Sequence, residues 1–159
     1  LRDDFCNGIA QLEKYNFTYD LLILPIHLPF AVNFVKRFPK QNFVIDHLAK
    51  PNFKGNNFSD WELGIEELAT HKNLYCKVSG MVTEADWKNW QEEDFKYCLD
   101  VLVANFGIDR LMFGSDWPVS LLAASYKQSC RIVENYFTKF SKEDQDKIWG
   151  ANAMKFYNL

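Results

Sequence analysis

Polar residues stand at the ends of four short apolar runs in the sequence. In chain order these residues are His27, Asp46 with His47, Ser79 with Gly80, and Asp116. An aspartate can take a proton from water, and a histidine can ligate a metal ion or orient a carbonyl group. If the fold brings the four ends together, these residue types predict one functional site.

Each candidate also has a plainer structural interpretation. His47 could be a hydrogen-bonded histidine beneath a loop, and His27 could cap the helix that follows it. Asp116 could cap a helix too, although Pro118 suits a first helical position and would move the cap to the residue before it. Lys77 lies inside an apolar run, so its charge must reach solvent, a cavity or a carboxylate.

The four apolar runs predict buried β-strands. Their nearly continuous hydrophobicity is typical of parallel strands that are covered on both faces. Amphipathic segments with helical spacing lie between them, so strand and helix alternate as in a parallel α/β fold. The predicted strands are Leu21–Ile26, Phe43–Ile45, Leu74–Val78 and Arg110–Phe113.

Four strand–helix units fit either a small doubly wound sheet or half of an eight-unit barrel. The periodicity of the sequence does not distinguish them. In both folds the loops at the carboxyl ends of the strands converge on one rim, where ligands bind. The polar residues at the strand ends are therefore expected to share one site in either case.

The overall composition narrows the function classes. The chain has 159 residues, 48% of them hydrophobic, which is enough for a globular core without disulfide or metal support. A net charge of −3 with both signs interspersed disfavours nucleic acid and membrane surfaces as partners. Four scattered cysteines without a C-x-x-C pair disfavour zinc-ribbon and thioredoxin chemistry. We expect a cytoplasmic protein.

Three segments carry a family resemblance. Residues 44–51 (VIDHLAKP), 77–81 (KVSGM) and 110–119 (RLMFGSDWPV) resemble signatures of the lactonase-like branch of the amidohydrolase superfamily. That branch contains sugar-lactone hydrolases of the L-fuconolactonase and L-rhamnonolactonase type and 2-pyrone-4,6-dicarboxylate lactonase. The resemblance implies that residues 1–159 form the C-terminal half of a (β/α)₈ TIM barrel, about four βα units. The N-terminal half, with the family's His-x-His strand, is absent from the chain.

The resemblance also implies roles for particular residues. Asp116 is expected to activate the hydrolytic water and His47 to act beside it, and both are candidate ligands of one divalent metal. Zinc is the favoured metal because imidazole and carboxylate ligands suit it, and no organic cofactor is expected. The residues expected to bind a small lactone or organic acid are His27, Lys50, Lys77, Ser79 and Trp117.

Three alternatives remain open at this point. The chain could belong to another barrel enzyme of the superfamily, such as a decarboxylase or a metal-dependent deoxyribonuclease-like enzyme. It could instead be a complete, non-catalytic doubly wound domain that binds a ligand. Third, the chain alone could be an inactive fragment. Half a barrel would expose two strand edges and an apolar sheet face, so we expect a companion segment or self-association to cover them.

Overall fold

The computed structural model describes residues 2–159 and contains one parallel sheet. Its strands are β1 (Tyr19–Leu21), β2 (Phe43–Ile45), β3 (Leu74–Val78) and β4 (Leu111–Phe113). Each strand pairs in parallel with the next one along the chain, in the order β1-β2-β3-β4. A doubly wound sheet would reverse its strand order at a switch point. The consecutive order excludes a switch point among these four strands and matches half of a TIM barrel.

Helices follow and separate the strands. The α-helices are α1 (Asp3–Leu12), α2 (Leu28–Arg37), α3 (Ser59–Ala69), α4 (Met81–Glu84), α5 (Glu93–Phe106), α6 (Tyr126–Phe137), α7 (Lys142–Asp146) and α8 (Asn152–Tyr157). Short 3₁₀ turns include Pro25–His27 and Val119–Leu122, and a turn with left-handed residues covers Asp46–Ala49. Across residues 2–159, no helix combines the length and the apolar character needed to span a membrane.

The two faces of the sheet differ in character. On one face Phe43, Ile45 and Cys76 are fully buried in the large core that includes apolar residues of α2, α3 and α5. Side chains alternate along a strand, so the intervening residues point to the other face, which is the inside of the barrel. There Val44 and Met112 pack against Phe156 of α8 in a smaller cluster.

The first strand lies earlier than the sequence predicted. The prediction was Leu21–Ile26, but pairing with β2 covers Tyr19–Leu21. Leu22 and Ile26 are 63% and 74% exposed, and Pro25, which lacks an N–H donor, begins a 3₁₀ turn. The apolar composition of residues 22–26 extended the predicted strand into a segment that is largely exposed in the structure. The other three strands match their predicted positions to within one residue.

Candidate active site

His47 lies between Ser79 and Asp116 at the carboxyl ends of three strands. Its Nδ1 is 2.8 Å from Ser79 Oγ, and its Nε2 is 3.5 Å from Asp116 Oδ1. The side chains of His47 and Asp116 are only 20% and 10% exposed. The ends of β2, β3 and β4 therefore bring together three residues that lie far apart in the sequence, as the strand-end pattern predicted.

The backbone at these residues is unusual. Four consecutive residues, His47 to Lys50, have φ values between 53° and 56°, and Asp116 has a φ of 55°. The left-handed conformation costs an L-residue roughly 1–2 kcal/mol. Full burial of Leu48 and Ala49, together with a 2.6 Å bond from the Trp61 indole N–H to the Leu48 carbonyl, offsets that cost. Strained backbone that its surroundings hold in place is common at functional sites.

Two glycines make room for the histidine and the serine. A Cβ at Gly80 would lie 2.8 Å from both Cγ and Nδ1 of the His47 ring, and Gly80 itself has a φ of +64°. A Cβ at Gly114 would lie 3.0 Å from Ser79 Cβ. The imidazole thus rests directly on the backbone at Gly80, which restricts the positions its ring can take.

Lys77 belongs to an ion-paired cluster inside the barrel. Its Nζ lies 2.5 Å from Asp20 Oδ2 and 2.7 Å from Asp46 Oδ1, and the Tyr157 hydroxyl donates to Asp20 over 2.8 Å. Burial lowers the pKa of Lys77, but the bonds to Asp20 and Asp46 outweigh it and leave that pKa above its ordinary value. Burial raises the pKa of Tyr157 to about 12. Lys77 opposes this increase, and Asp20 adds to it.

The other predicted substrate-binding residues lie in different settings. Lys50 is ion-paired with Glu84 of α4 at 2.7 Å, and the Trp117 side chain is exposed. Ser79 is 3% exposed and its hydroxyl is hydrogen-bonded to His47, so it contacts the histidine and is almost closed to solvent. His27 accepts the Leu24 N–H at Nδ1 and lines a groove with Phe30 and Phe34, outside the His47–Asp116 group.

Sequence reasoning missed three residues of this region. Asp20 and Glu84 pair with the two lysines and Tyr157 donates to Asp20, and none of these three was proposed as part of the site. Asp46 was recognised at a strand end but was given no role. A lysine inside a strand requires a carboxylate partner in the barrel, and Asp46 stands on the neighbouring strand end. That requirement predicted an acidic partner for the lysine, but it did not identify which carboxylates pair with it.

The donor set for a metal is incomplete in the part of the chain that the structure describes. No group of three or more histidine, cysteine, aspartate or glutamate side chains is arranged there to hold an ion. His47 Nε2 and the Asp116 carboxylate converge and are ligand types that zinc accepts, but a catalytic zinc site uses three protein ligands. These two residues fit part of such a site.

The fold and the converging strand-end residues define a barrel protein of the α/β class whose site lies at the carboxyl ends of its strands. The chain belongs to the Amidohydrolase family, whose sequence profile matches residues 1–159. It is 37% identical to an L-fucono-1,5-lactonase of Burkholderia multivorans over 98% of this chain and 56% of the relative. An L-fucono-1,5-lactonase of Burkholderia ambifaria is 35% identical over 96% of this chain and 53% of the relative.

A solved structure shows the same fold. An amidohydrolase of Burkholderia multivorans with bound zinc superimposes with a TM-score of 0.96 at 36% identity, over 99% of this chain and 58% of that one. The resemblance to lactonase-like amidohydrolases is thereby confirmed. The chain spans little more than half the length of the relatives it matches.

Proposed function

We propose that the full-length protein hydrolyses a lactone of a sugar acid, with water activated at Asp116. The observation that carries the proposal is the convergence of Asp116 and His47 at the strand-end rim, 3.5 Å apart and largely shielded from solvent. A 3.5 Å separation is longer than an ordinary N–H···O bond, so neither group is fully engaged by the other and both are able to contact one ligand beside them. The names of the two Burkholderia relatives supply the substrate class.

The proposed reaction is general-base hydrolysis. The Asp116 carboxylate takes a proton from water as the water oxygen adds to the lactone carbonyl carbon. His47 hydrogen-bonds the carbonyl oxygen, where negative charge develops in the transition state. The bond from that carbon to the ring oxygen then breaks, and the ring oxygen receives the proton from Asp116, giving the open hydroxy acid.

A divalent metal is compatible with the same two residues. His47 Nε2 and Asp116 would be its ligands from this chain, and when bound it would polarise the carbonyl and lower the pKa of water. We propose that the remaining ligands and the other strands of the barrel come from a segment outside residues 1–159.

Charge pairing favours a neutral substrate over a dicarboxylate. Lys50 and Lys77 were expected to hold an anionic or polyhydroxylated ligand, but Lys50 is paired with Glu84, and Lys77 with Asp20 and Asp46. An anionic substrate would have to compete with these carboxylates. The exposed Trp117, next to Asp116, remains our proposed apolar contact for the sugar ring.

The test is a turnover assay of the full-length protein on neutral sugar 1,5- and 1,4-lactones and on a dicarboxylate pyrone. The wild type should hydrolyse a neutral sugar lactone, and Asp116→Asn should lower kcat by about 10²–10⁴-fold, the usual range for a lost general base. Asp109→Asn is the matched control, because Asp109 is 77% exposed and paired with Lys147.

Two results would contradict the proposal. Near-full turnover by Asp116→Asn would remove Asp116 from the chemistry. A wild type that hydrolyses only the dicarboxylate would refute the neutral substrate class.

A further inference from the structure

We propose that Glu84 is a specificity-determining residue: by holding Lys50 in an ion pair, it keeps the site from retaining anionic ligands, including the acid that hydrolysis releases. The inference deepens the proposed function and rests on it for its catalytic meaning. Lys50 was expected to bind substrate, and the structure instead gives its ammonium group a partner within the protein.

The ion pair lies beside His47 on two strand-end loops. Lys50 ends the run of left-handed residues that begins at His47, and its N–H donates to the His47 carbonyl over 2.7 Å. Glu84 is the last residue of α4, one helical turn after Gly80, whose backbone lies against the His47 ring. The pair therefore connects the loops after β2 and β3 at the rim where the proposed reaction takes place.

Lys50 is the lysine of this region whose charge a single substitution can free. Its Nζ lies 2.7 Å from Glu84 Oε1, and both side chains are 26% exposed, so the pair is shielded but open to solvent on one side. In the part of the chain that the structure describes, no other carboxylate forms an ion pair with Lys50. Lys77, in contrast, is held by both Asp20 and Asp46 and would stay paired if either one were lost.

The charge of Lys50 matters because the proposed reaction changes the charge of its ligand. A neutral lactone enters, and the hydroxy acid that forms is a carboxylate at neutral pH. While Glu84 neutralises it, the Lys50 ammonium adds no net charge to the rim. Without that partner, it would strengthen the binding of a carboxylate a few ångströms away by about tenfold, a size between the limits for water and for a partly buried pair. The ion pair thus favours a neutral substrate and the release of a charged product.

The test compares two ligands that differ by one charge, L-fuconate and its neutral amide, L-fuconamide. Calorimetry at neutral pH measures the Kd of each for the full-length wild type and for Glu84→Gln, prepared with the same metal content. Glutamine keeps the shape of Glu84 and removes its charge. We expect Glu84→Gln to bind L-fuconate about tenfold more tightly than the wild type does, and to bind L-fuconamide equally well.

Two lysine substitutions identify the cation responsible. Lys50→Met added to Glu84→Gln should return the Kd of L-fuconate to the wild-type value. Lys54→Met in the same background should leave the gain in place, because Lys54 is exposed and lies over the Trp87 ring. Glu67→Gln is the control for loss of a carboxylate, since Glu67 is exposed on α3, and its Kd values should equal those of the wild type.

Equal binding of L-fuconate by the wild type and Glu84→Gln, undetectable binding by both included, would overturn the proposal. A gain that persists without Lys50 would overturn it as well, and so would an equal gain for L-fuconamide, which would indicate a change of shape and not of charge. Failure of the wild type to hydrolyse any sugar lactone would instead refute the proposed function, since the calorimetric result does not depend on turnover.

Discussion

The candidate site depends on a few residues whose freedom is restricted by their neighbours. His47 has a left-handed backbone, a serine at one ring nitrogen and an aspartate at the other. Gly80 lies directly beneath its ring. Because the ring and the backbone are in contact, the type of residue at position 80 controls the position of the imidazole.

Substitution of Gly80 tests that contact. Gly80→Ala should destabilise the protein by about 2–5 kcal/mol, since it combines the cost of a left-handed alanine with overlap against the ring. Asn16→Ala is the control, because Asn16 also has a left-handed helical backbone (φ 55°, ψ 34°) but is exposed. It should lose no more than about 1–2 kcal/mol. Urea unfolding measures both values, and equal losses would show that the contact with His47 is unimportant.

At the scale of elements, the inner face of the sheet is held together by charge. Lys77 on β3 bonds Asp20 on β1 and Asp46 at the end of β2, and Tyr157 of α8 donates to Asp20. The cluster therefore links three strands to the last helix. It also fixes the residue that directly precedes His47.

Alkaline pH should weaken this cluster. The pKa of Lys77 is above its ordinary value and that of Tyr157 is raised to about 12, so the folded protein holds both protons more tightly than the unfolded chain. Their stabilisation is complete below about pH 10 and is lost as the pH rises toward 12. The Tm of the full-length protein should fall over that range, and less steeply in Tyr157→Phe than in the exposed control Tyr15→Phe. Parallel Tm curves in the two variants would contradict the assignment.

Hydrophobic periodicity predicted the alternation of strands and helices, and three strands to within one residue. It misplaced β1 because Leu22, Leu24 and Ile26 are apolar but exposed, and burial does not follow from composition alone.

At the site, the meeting of His47 and Asp116 was predictable because parallel strand ends share a rim. The partners of Lys50 and Lys77 were not predictable. Which side chains pair across a barrel depends on the register of the strands and on where α8, which is distant in sequence, packs against the sheet.

At the scale of the whole molecule, the sheet is half of a closed structure. Among residues 2–159, β1 and β4 each pair with one neighbouring strand only. Large apolar side chains such as Leu22, Phe30 and Trp117 are more than 60% exposed. Free strand edges and exposed apolar surface both promote association.

Residues 1–159 produced alone should therefore associate. Size-exclusion chromatography with light scattering should give a mass of twice the chain or more, and the apparent mass should rise with concentration. The full-length protein is the comparison, because a closed barrel has no free strand edge. A monomer of residues 1–159 that is stable at all concentrations would show that these edges need no cover.

A crystal structure of full-length Asp116→Asn with a bound sugar lactone would show whether Asp116 and His47 act together on the substrate. We expect the lactone carbonyl oxygen within about 3.2 Å of His47 Nε2, with the side chain at position 116 facing the carbonyl carbon. A lactone bound in the groove beside His27 and Phe34, or one whose carbonyl points away from His47, would contradict this expectation.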